Sequence, residues 1–155
     1  MNKAEELIKL LIDKKYTLTT AESCTGGMVS STLIDIPGAS WVINECHVTY
    51  SNEAKMKYLG VNKATLDIYT AVREETEIEM VMGAASLANS NVAIAVTGLA
   101  GPDGGTEEKP VGLVYIACKV NDKIRIDKPI FSGDRNEVRR SATEYAIEMA
   151  LDMIM

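Results

Sequence analysis

Hydrophobic positions recur with the period of a helix in three long segments of the chain. Residues 3–14 carry apolar side chains every three to four positions, which predicts an amphipathic helix. The same period follows Thr70 and recurs after Asp134, a residue type that often caps a helix. In the middle segment the predicted buried stripe is Ile78, Val81, Met82, Ala85 and Ala88. The glutamates predicted to lie mostly on its outer face are Glu74, Glu75, Glu77 and Glu79.

Short apolar runs between these helices predict a sheet. The run 92–96 is apolar without interruption, as expected of a central strand that is buried on both faces. The other predicted strands are 16–21, 41–50, 111–120 and 124–131, and the other predicted helices are 25–35 and 52–59. Because helices and strands alternate and end in one hairpin, the predicted fold is α/β. It is a three-layer α/β/α sandwich with a mixed, mostly parallel five-stranded sheet, formed by a single domain, 1–155.

The composition narrows the classes of function. Hydrophobic residues make up 46% and charged residues 25% of the chain, as in an ordinary soluble globular domain. The formal net charge of −6 argues against a broad nucleic-acid footprint, which needs a basic surface. His47 is the only histidine, so most zinc sites are nearly excluded. No apolar run is long enough to predict a membrane span.

Cysteine usage and the N-terminus indicate the compartment. Cys24, Cys46 and Cys118 are an odd number without a CxxC pair, so neither a disulfide framework nor a zinc ribbon is predicted. Free thiols are typical of a reducing cytosol, and the first residues lack the basic and apolar regions of a signal peptide. We therefore expect a cytoplasmic protein.

The first polar segment that follows a predicted strand is 20–27. A serine at a strand-to-helix turn exposes its hydroxyl above the sheet edge, where helix N–H groups can hold an oxyanion or a phosphate. Ser23 is therefore a candidate nucleophile, unless Ser23 or Thr25 only caps the helix. Cys24 is a rival candidate, since a helix N-terminus lowers the pKa of a thiol, although such a cysteine is more often a small buried side chain.

The second segment, 48–55, places a lysine near the start of a predicted helix. If Ser51 or Asn52 caps this helix, Lys55 lies in its first turn, where the helix dipole disfavours a cation. In a pocket this position would move the pKa of the amine towards the range of a general base. On the surface Lys55 would be an ordinary solvated lysine. Tyr50 is either part of the same site or a core residue with a bonded hydroxyl.

Two further segments are candidates for binding an anion. The loop 97–106 is rich in glycine, so its backbone N–H groups can approach a ligand closely, but it matches neither a Walker loop nor a GxGxxG fingerprint. It is equally compatible with a plain turn. Arg135, at the start of the last helix, could clamp a phosphate or carboxylate, or lie free on the surface.

Together these segments resemble one family, the C-terminal domain of the competence/damage-inducible protein CinA. The resemblance extends in order over nearly the whole chain. Its motifs are Thr20-Ala21-Glu22-Ser23-Cys24-Thr25-Gly26-Gly27, Thr49-Tyr50-Ser51-Asn52-Glu53-Ala54-Lys55, the segment 96–112 and Gly133-Asp134-Arg135. The family includes stand-alone nicotinamide-nucleotide amidases, and the chain looks like this short, single-domain form. Family members often carry Gly where Cys46 and Thr70 stand, and Ser where Arg73 stands.

The resemblance implies hydrolysis of the carboxamide of nicotinamide mononucleotide to nicotinic acid mononucleotide and ammonia, as part of pyridine nucleotide recycling. It implies a serine nucleophile at Ser23 with Lys55 and Tyr50 beside it, and it implies neither a metal nor a cofactor. It also implies roles for Thr97 and Arg135. The full set of residues expected to bind substrate is Cys24, Thr25, Gly26, Thr97, Gly98, Gly101, Gly104, Gly105 and Arg135.

With one histidine in the chain, a Ser-Lys arrangement is a better hypothesis than a Ser-His-Asp triad. Lys55 would deprotonate Ser23, directly or through Tyr50, and Ser23 would attack the carboxamide carbon. N–H groups near Cys24 and Thr25 would hold the oxyanion. Two alternatives stay open: a nucleotide-binding relative without catalysis, and a serine amidohydrolase for another small amide. The expected partners are a small pyridine nucleotide and further copies of the chain in a homo-oligomer, with no nucleic acid and no membrane.

Overall fold

One five-stranded sheet forms the centre of the protein, as described by a computed structural model that covers residues 1–155. The strands are β1 (Leu18–Glu22), β2 (His47–Val48), β3 (Val92–Gly98), β4 (Val114–Val120) and β5 (Lys123–Asp127). Their order across the sheet is β2-β1-β3-β4-β5. β1 pairs in parallel with β2 and β3, whereas β4 pairs antiparallel with β3 and β5. The predicted mixed sheet is confirmed, with β4 as the one strand that runs against the others.

Six α-helices cover the two faces of this sheet. The helices α1 (Lys3–Lys14), α2 (Met28–Ile34) and α6 (Arg135–Ile154) pack together on one face. The helices α3 (Asn52–Leu59), α4 (Lys63–Tyr69) and α5 (Glu74–Ala88) form the opposite layer, in which α5 packs against β1, β3 and β4. The predicted three-layer sandwich is therefore confirmed. No helix is long and apolar enough to cross a membrane.

The two faces of the sheet differ in the size of their side chains. On β3, Val92, Ile94 and Val96 belong to the core beneath α1 and α6, while Ala93 and Ala95 face the α5 layer. This alternation follows from the two-residue period of a strand. Small side chains let α5 lie close to the sheet, and α5 also approaches α3 so closely that a Cβ on Gly83 would overlap the carbonyl of Leu59.

Several predicted elements differ from the structure. The predicted strand 41–50 is wrong over most of its length, because residues 39–41 form a 3₁₀ turn and only residues 47–48 pair with β1. The predicted helix 25–35 begins later, at Met28, because Gly26 and Gly27 adopt left-handed backbone conformations that a helix cannot contain. The helix α4 has no sequence signal, since only Leu66 among its residues is buried. The other predicted strands form with shifted ends.

The helix α5 is also rotated relative to its predicted orientation. Val81 and Ala85 are buried as predicted, but Met82 is 50% exposed. Glu77, which the pattern places outward, is completely buried. The buried face consists of Thr76, Glu77, Met80, Val81, Ala84 and Ala85. Met80, Val81, Ala84 and Ala85 on this face pack against the alanines of β1, β3 and β4, whereas Met82 lies outside.

Candidate active site

Ser23 lies directly after β1, in a tight turn that leads into α2. Its backbone N–H donates to the carbonyl of Val96 at 2.9 Å, which ties the turn to the central strand β3. Two glycines with positive φ, Gly26 at +58° and Gly27 at +100°, complete the turn. Ser23 is 9% exposed and lines a pocket of about 230 Å³. The strand-to-helix position predicted for this serine is confirmed.

A buried carboxylate, Glu22, holds this turn. It accepts four hydrogen bonds: from Thr25 Oγ1 at 2.8 Å, Val29 N at 2.8 Å, Thr20 Oγ1 at 3.0 Å and Ser30 N at 3.0 Å. The two backbone donors are free N–H groups of the first turn of α2, so the carboxylate caps this helix at the end where its dipole favours a negative charge. These N–H groups therefore serve Glu22, and the predicted binding of a ligand by α2 does not involve them.

Lys55 reaches Ser23 from the first turn of α3. Ser51, one of the two residues that the sequence offers as the cap, caps this helix by accepting a hydrogen bond from Ala54 N at 3.0 Å. Lys55 is only 1% exposed. Its Nζ lies 3.0 Å from Ser23 Oγ, 2.9 Å from the carbonyl oxygen of Thr49 and 3.0 Å from that of Tyr50. Burial lowers the pKa of the Lys55 amine, which favours its neutral form.

The three oxygens around Lys55 Nζ can be bonded by either form of its amine: the ammonium donates to all three, and the neutral amine donates to two of them. The neutral amine has two N–H bonds and one lone pair. The carbonyl oxygens of Thr49 and Tyr50 can accept both N–H bonds, and the lone pair is then left for the hydroxyl of Ser23. In this state the Ser23 hydroxyl donates to Lys55, which is the arrangement of a nucleophile and its general base.

The backbone after Ser23 is positioned by Arg139 of α6. Its Nε donates to the carbonyl of Cys24 at 2.8 Å, and its Nη2 donates to that of Thr25 at 2.9 Å. The N–H groups of Cys24 and Thr25 have no acceptor within the protein. Of these two residues Cys24 lines the pocket with Ser23 and Thr25 is fully buried, so the N–H of Cys24 is the better placed to bind an oxyanion formed at Ser23.

Cys24 itself does not have the character of a nucleophile. It is 8% exposed, and burial, followed by the negative charge of Glu77, raises the pKa of its thiol to about 12. The thiolate is the reactive form of cysteine, and it is scarce at neutral pH when the pKa is this high. The side chain of Cys24 instead belongs to the hydrophobic core.

Tyr50 and Arg135 meet at the mouth of the pocket. Tyr50 is 61% exposed, and its hydroxyl accepts a hydrogen bond from Arg135 Nη2 at 3.1 Å. Arg135 Nη1 donates to the carbonyl of Gly101 in the glycine-rich loop. The phenol of Tyr50 is therefore held by Arg135, while its backbone carbonyl is the part that contacts Lys55. This geometry favours direct proton transfer from Ser23 to Lys55 over transfer through the phenol.

Only part of the glycine-rich loop 97–106 lines the pocket. Gly98 and Gly101 line the pocket, together with Asp103, whereas Gly104 and Gly105 do not. Thr97 is 1% exposed and its hydroxyl donates to the carbonyl of Ala71 at 2.9 Å, so it faces the protein interior.

The other expected binding residues divide between the pocket and its support. Cys24 and Arg135 line the pocket with Ser23 and Tyr50. Thr25 is fully buried, with its hydroxyl on Glu22, and Gly26 lies in the turn behind the pocket, where a Cβ would face Arg139.

Sequence reasoning missed Glu22 and Arg139 as site residues. For Glu22 the available signal was a carboxylate at the end of a buried strand, whereas the reach of Arg139 from α6 left no local signal.

Other polar features of the molecule are less suited to catalysis. The largest pocket, about 380 Å³, lies at the start of α5 and is lined mainly by charged residues, but it contains neither Ser23 nor Lys55. His47 contacts the carbonyl of Thr20 and the carboxylate of Glu45, at 3.0 and 2.8 Å. No group of three or more His, Cys, Asp or Glu side chains is arranged to hold a metal ion.

Comparisons with family models and with curated sequences indicate the same family. The family model for the CinA C-terminal domain matches residues 1–154. A competence-damage inducible protein from Clostridium beijerinckii is 55% identical over 149 residues, which are 96% of this chain and 36% of that protein. One from Alkaliphilus metalliredigens is 50% identical over 151 residues, 97% of this chain and 37% of that protein. The chain therefore spans about a third of the length of these curated relatives.

Solved structures have the same fold over nearly the whole chain. A competence-damaged protein (CinA) superfamily protein from Klebsiella pneumoniae matches with a TM-score of 0.94 and 33% identity, covering 99% of this chain and 98% of its own. A competence/damage inducible protein from Agrobacterium tumefaciens matches with a TM-score of 0.90 and 39% identity, covering 98% and 97%.

Proposed function

Because the chain belongs to the CinA C-terminal domain family, we propose that it is an amidase that hydrolyses the carboxamide of nicotinamide mononucleotide. The products are nicotinic acid mononucleotide and ammonia, which return the pyridine ring to nucleotide recycling. Support comes from the four sequence motifs shared with the amidases of this family and from the chemistry available at Ser23.

One observation supports this reaction above all others: Lys55 Nζ lies 3.0 Å from Ser23 Oγ in a buried site. An amide resists hydrolysis, so its cleavage needs an activated nucleophile and a proton donor for the departing ammonia. A buried lysine serves both needs, because its amine is easily converted between the neutral and protonated forms when burial lowers its pKa.

The reaction proceeds in two halves. Ser23 Oγ attacks the carboxamide carbon while Lys55 takes the hydroxyl proton, and the N–H group of Cys24 stabilises the oxyanion. When the C–N bond breaks, Lys55 returns this proton to the leaving nitrogen, and ammonia departs from an ester at Ser23. A water molecule then gives a proton to Lys55 and attacks the ester. Release of the acid restores the Ser23 hydroxyl with that proton.

The remaining pocket residues bind the rest of the nucleotide. Arg135 presents a guanidinium at the pocket mouth, where it can pair with the phosphate, and its bond to Tyr50 holds it in place. Asp103 lines the same pocket and can accept hydrogen bonds from ribose hydroxyls. Gly98 and Gly101 offer backbone to the pocket, while the space that a Cβ would need is already filled by Leu113, Val114 and Val111.

The test is to incubate the purified protein with nicotinamide mononucleotide and to measure nicotinic acid mononucleotide by mass spectrometry. Ser23→Ala is expected to lower kcat by at least about 10³-fold, because it removes the nucleophile. Ser31→Ala is the matched control, since Ser31 is exposed on the neighbouring helix α2 and should leave turnover unchanged.

Each other outcome points to a different conclusion. Near-normal turnover by Ser23→Ala would refute the nucleophile. Binding of the nucleotide by the wild type without any product would indicate a non-catalytic relative. Labelling of Ser23 by a fluorophosphonate without turnover of the nucleotide would indicate an amidohydrolase with another substrate.

A further inference from the structure

Glu77 is a buried carboxyl that the proposed reaction does not use. It lies in the first turn of α5 and is 0% exposed. Neither of its carboxylate oxygens makes a hydrogen bond of normal length and angle, although the backbone N–H of Thr97 is near enough to act on its charge. Burying a carboxyl without partners is unfavourable unless it is neutral or has a positive charge nearby. The position of Glu77 therefore needs a reason beyond packing.

The charged and titratable groups that face Glu77 belong to the candidate active site. Burial raises the pKa of Glu77 well above its usual range. The backbone N–H of Thr97 on β3 and the charge of Lys55 on α3 lower this pKa, but by less than burial raises it. From the turn after β1, Cys24 also interacts with Glu77, and the guanidinium of Arg139 on α6 acts on Cys24 from the other layer.

Packing supports this placement: α5 packs against α3, which carries Lys55, and against β3, whose Val96 carbonyl accepts the N–H of Ser23. The carboxyl of Glu77 and the amine of Lys55 therefore belong to the same layer of the fold.

The electrostatic interaction that lowers the pKa of Glu77 raises the pKa of Lys55. Burial lowers the pKa of Lys55, while the charges that Cys24 and Glu77 carry when ionised raise it. Because the pKa of the Cys24 thiol is about 12, Cys24 is neutral near neutral pH and the charge of Glu77 is the one that matters there. When Glu77 is ionised, it stabilises the ammonium form of Lys55, which has no lone pair for the Ser23 proton. When Glu77 is neutral, Lys55 loses its proton more easily. Two buried groups coupled in this way titrate as a pair.

We propose that Glu77 is a positioning residue for the dyad: its carboxyl controls the charge of Lys55 and thereby the pH range in which Ser23 is activated. This inference rests on the Ser23–Lys55 chemistry of the proposed function. It adds to that chemistry a residue on α5 that touches neither the substrate nor Ser23 and acts only through Lys55.

The experiment measures the rate at which a fluorophosphonate probe labels Ser23 between pH 5 and about 10, using intact-protein mass spectrometry. The probe reports activation of the serine and does not depend on the identity of the substrate. The variants are Glu77→Gln, which keeps the shape of the side chain, and Glu77→Met, an apolar replacement of similar length. Glu74→Gln is the matched control, because Glu74 is exposed on the same helix. Ser23→Ala verifies the labelled residue.

We expect both Glu77 variants to move the midpoint of the labelling rate to lower pH by about one unit, the low end of the effect of a neighbouring opposite charge. Glu74→Gln should keep the wild-type midpoint. A midpoint that does not move in the folded Glu77 variants would overturn the role of Glu77 and leave the dyad standing, even if the labelling rate falls uniformly. Absence of labelling in the wild type at every pH would overturn the dyad itself, and the role of Glu77 with it.

Discussion

The hydrogen bonds of Glu22 lead to a quantitative prediction about the turn that carries Ser23. In the structure, Oε1 accepts from Thr25 and Val29, and Oε2 accepts from Thr20 and Ser30. Glu22→Gln preserves the shape of the side chain but replaces one of these oxygens by an NH₂ group. Whichever way the amide lies, two of the four donors then face another donor instead of an acceptor.

The expected loss of stability follows from counting these bonds. A hydrogen bond to a charged group contributes about 1.5–3 kcal/mol, so losing two costs about 3–6 kcal/mol. The lost negative charge at the start of α2 adds up to about 2 kcal/mol. Thr20→Val and Thr25→Val each remove one donor at nearly constant volume, so each is expected to cost about 1.5–3 kcal/mol.

The free energy of unfolding in urea measures these differences. Far-UV circular dichroism is the better probe, because the single tryptophan, Trp41, is 80% exposed and reports little about the core. Glu107→Gln, at an exposed loop carboxylate, is the control and should stay within about 0.5 kcal/mol of the wild type. If Glu22→Gln costs less than Thr20→Val, the carboxylate does not hold the turn in the way described.

Two further variants test the base of the candidate site and the strained backbone at the end of α4. Lys55→Met removes the base and should lower kcat for nicotinamide mononucleotide by about 10²–10⁴-fold. Because burial lowers the pKa of Lys55, the free energy of unfolding of the wild type should rise as pH rises from that folded-state pKa through the unfolded value of about 10.4. Lys55→Met should lack this rise when urea unfolding is measured from about pH 7 to 10.5. Equal pH dependence in both proteins would contradict the burial of a titrating amine. Thr70 has a φ of +68°, a strain of about 1–3 kcal/mol for a non-glycine residue, so Thr70→Gly should gain about 1 kcal/mol after the entropy cost of glycine. A lower urea midpoint would show that the hydrogen bond from Lys109 to Thr70 Oγ1 matters more than the strain.

Sequence patterns predict the parts of the fold that depend on local interactions. The helix α1 has the predicted bounds, and both α1 and α6 begin with a capping box that the sequence contains within four residues. The uninterrupted apolar run of β3 predicts its central place in the sheet. By contrast, β2 consists of only two residues and depends on pairing with β1, so its local pattern is misleading.

The site is predictable to a similar extent. Ser23 and Lys55 are candidates because of their positions at a turn and a helix start, and the structure places them 3.0 Å apart although they are far apart in sequence. The phenol of Tyr50 is bonded to Arg135 and the hydroxyl of Thr97 to the carbonyl of Ala71, although the resemblance assigns both side chains to the reacting site. These partners, Arg135 and Ala71, come from distant segments, and nothing near Tyr50 or Thr97 in the sequence indicates them.

The sequence by itself determined the alternation of helices and strands, the layer architecture and the segments that carry chemistry, because periodicity, capping and turn residues act over a few positions. Only the tertiary structure decided which groups are buried together. The helix α5 packs Met80, Val81, Ala84 and Ala85 against the alanines of the sheet, and this orientation buries Glu77 and leaves Met82 half exposed. The charge of Lys55 depends on this burial and on Glu77, because a pKa responds to desolvation and to charges that the fold alone brings near.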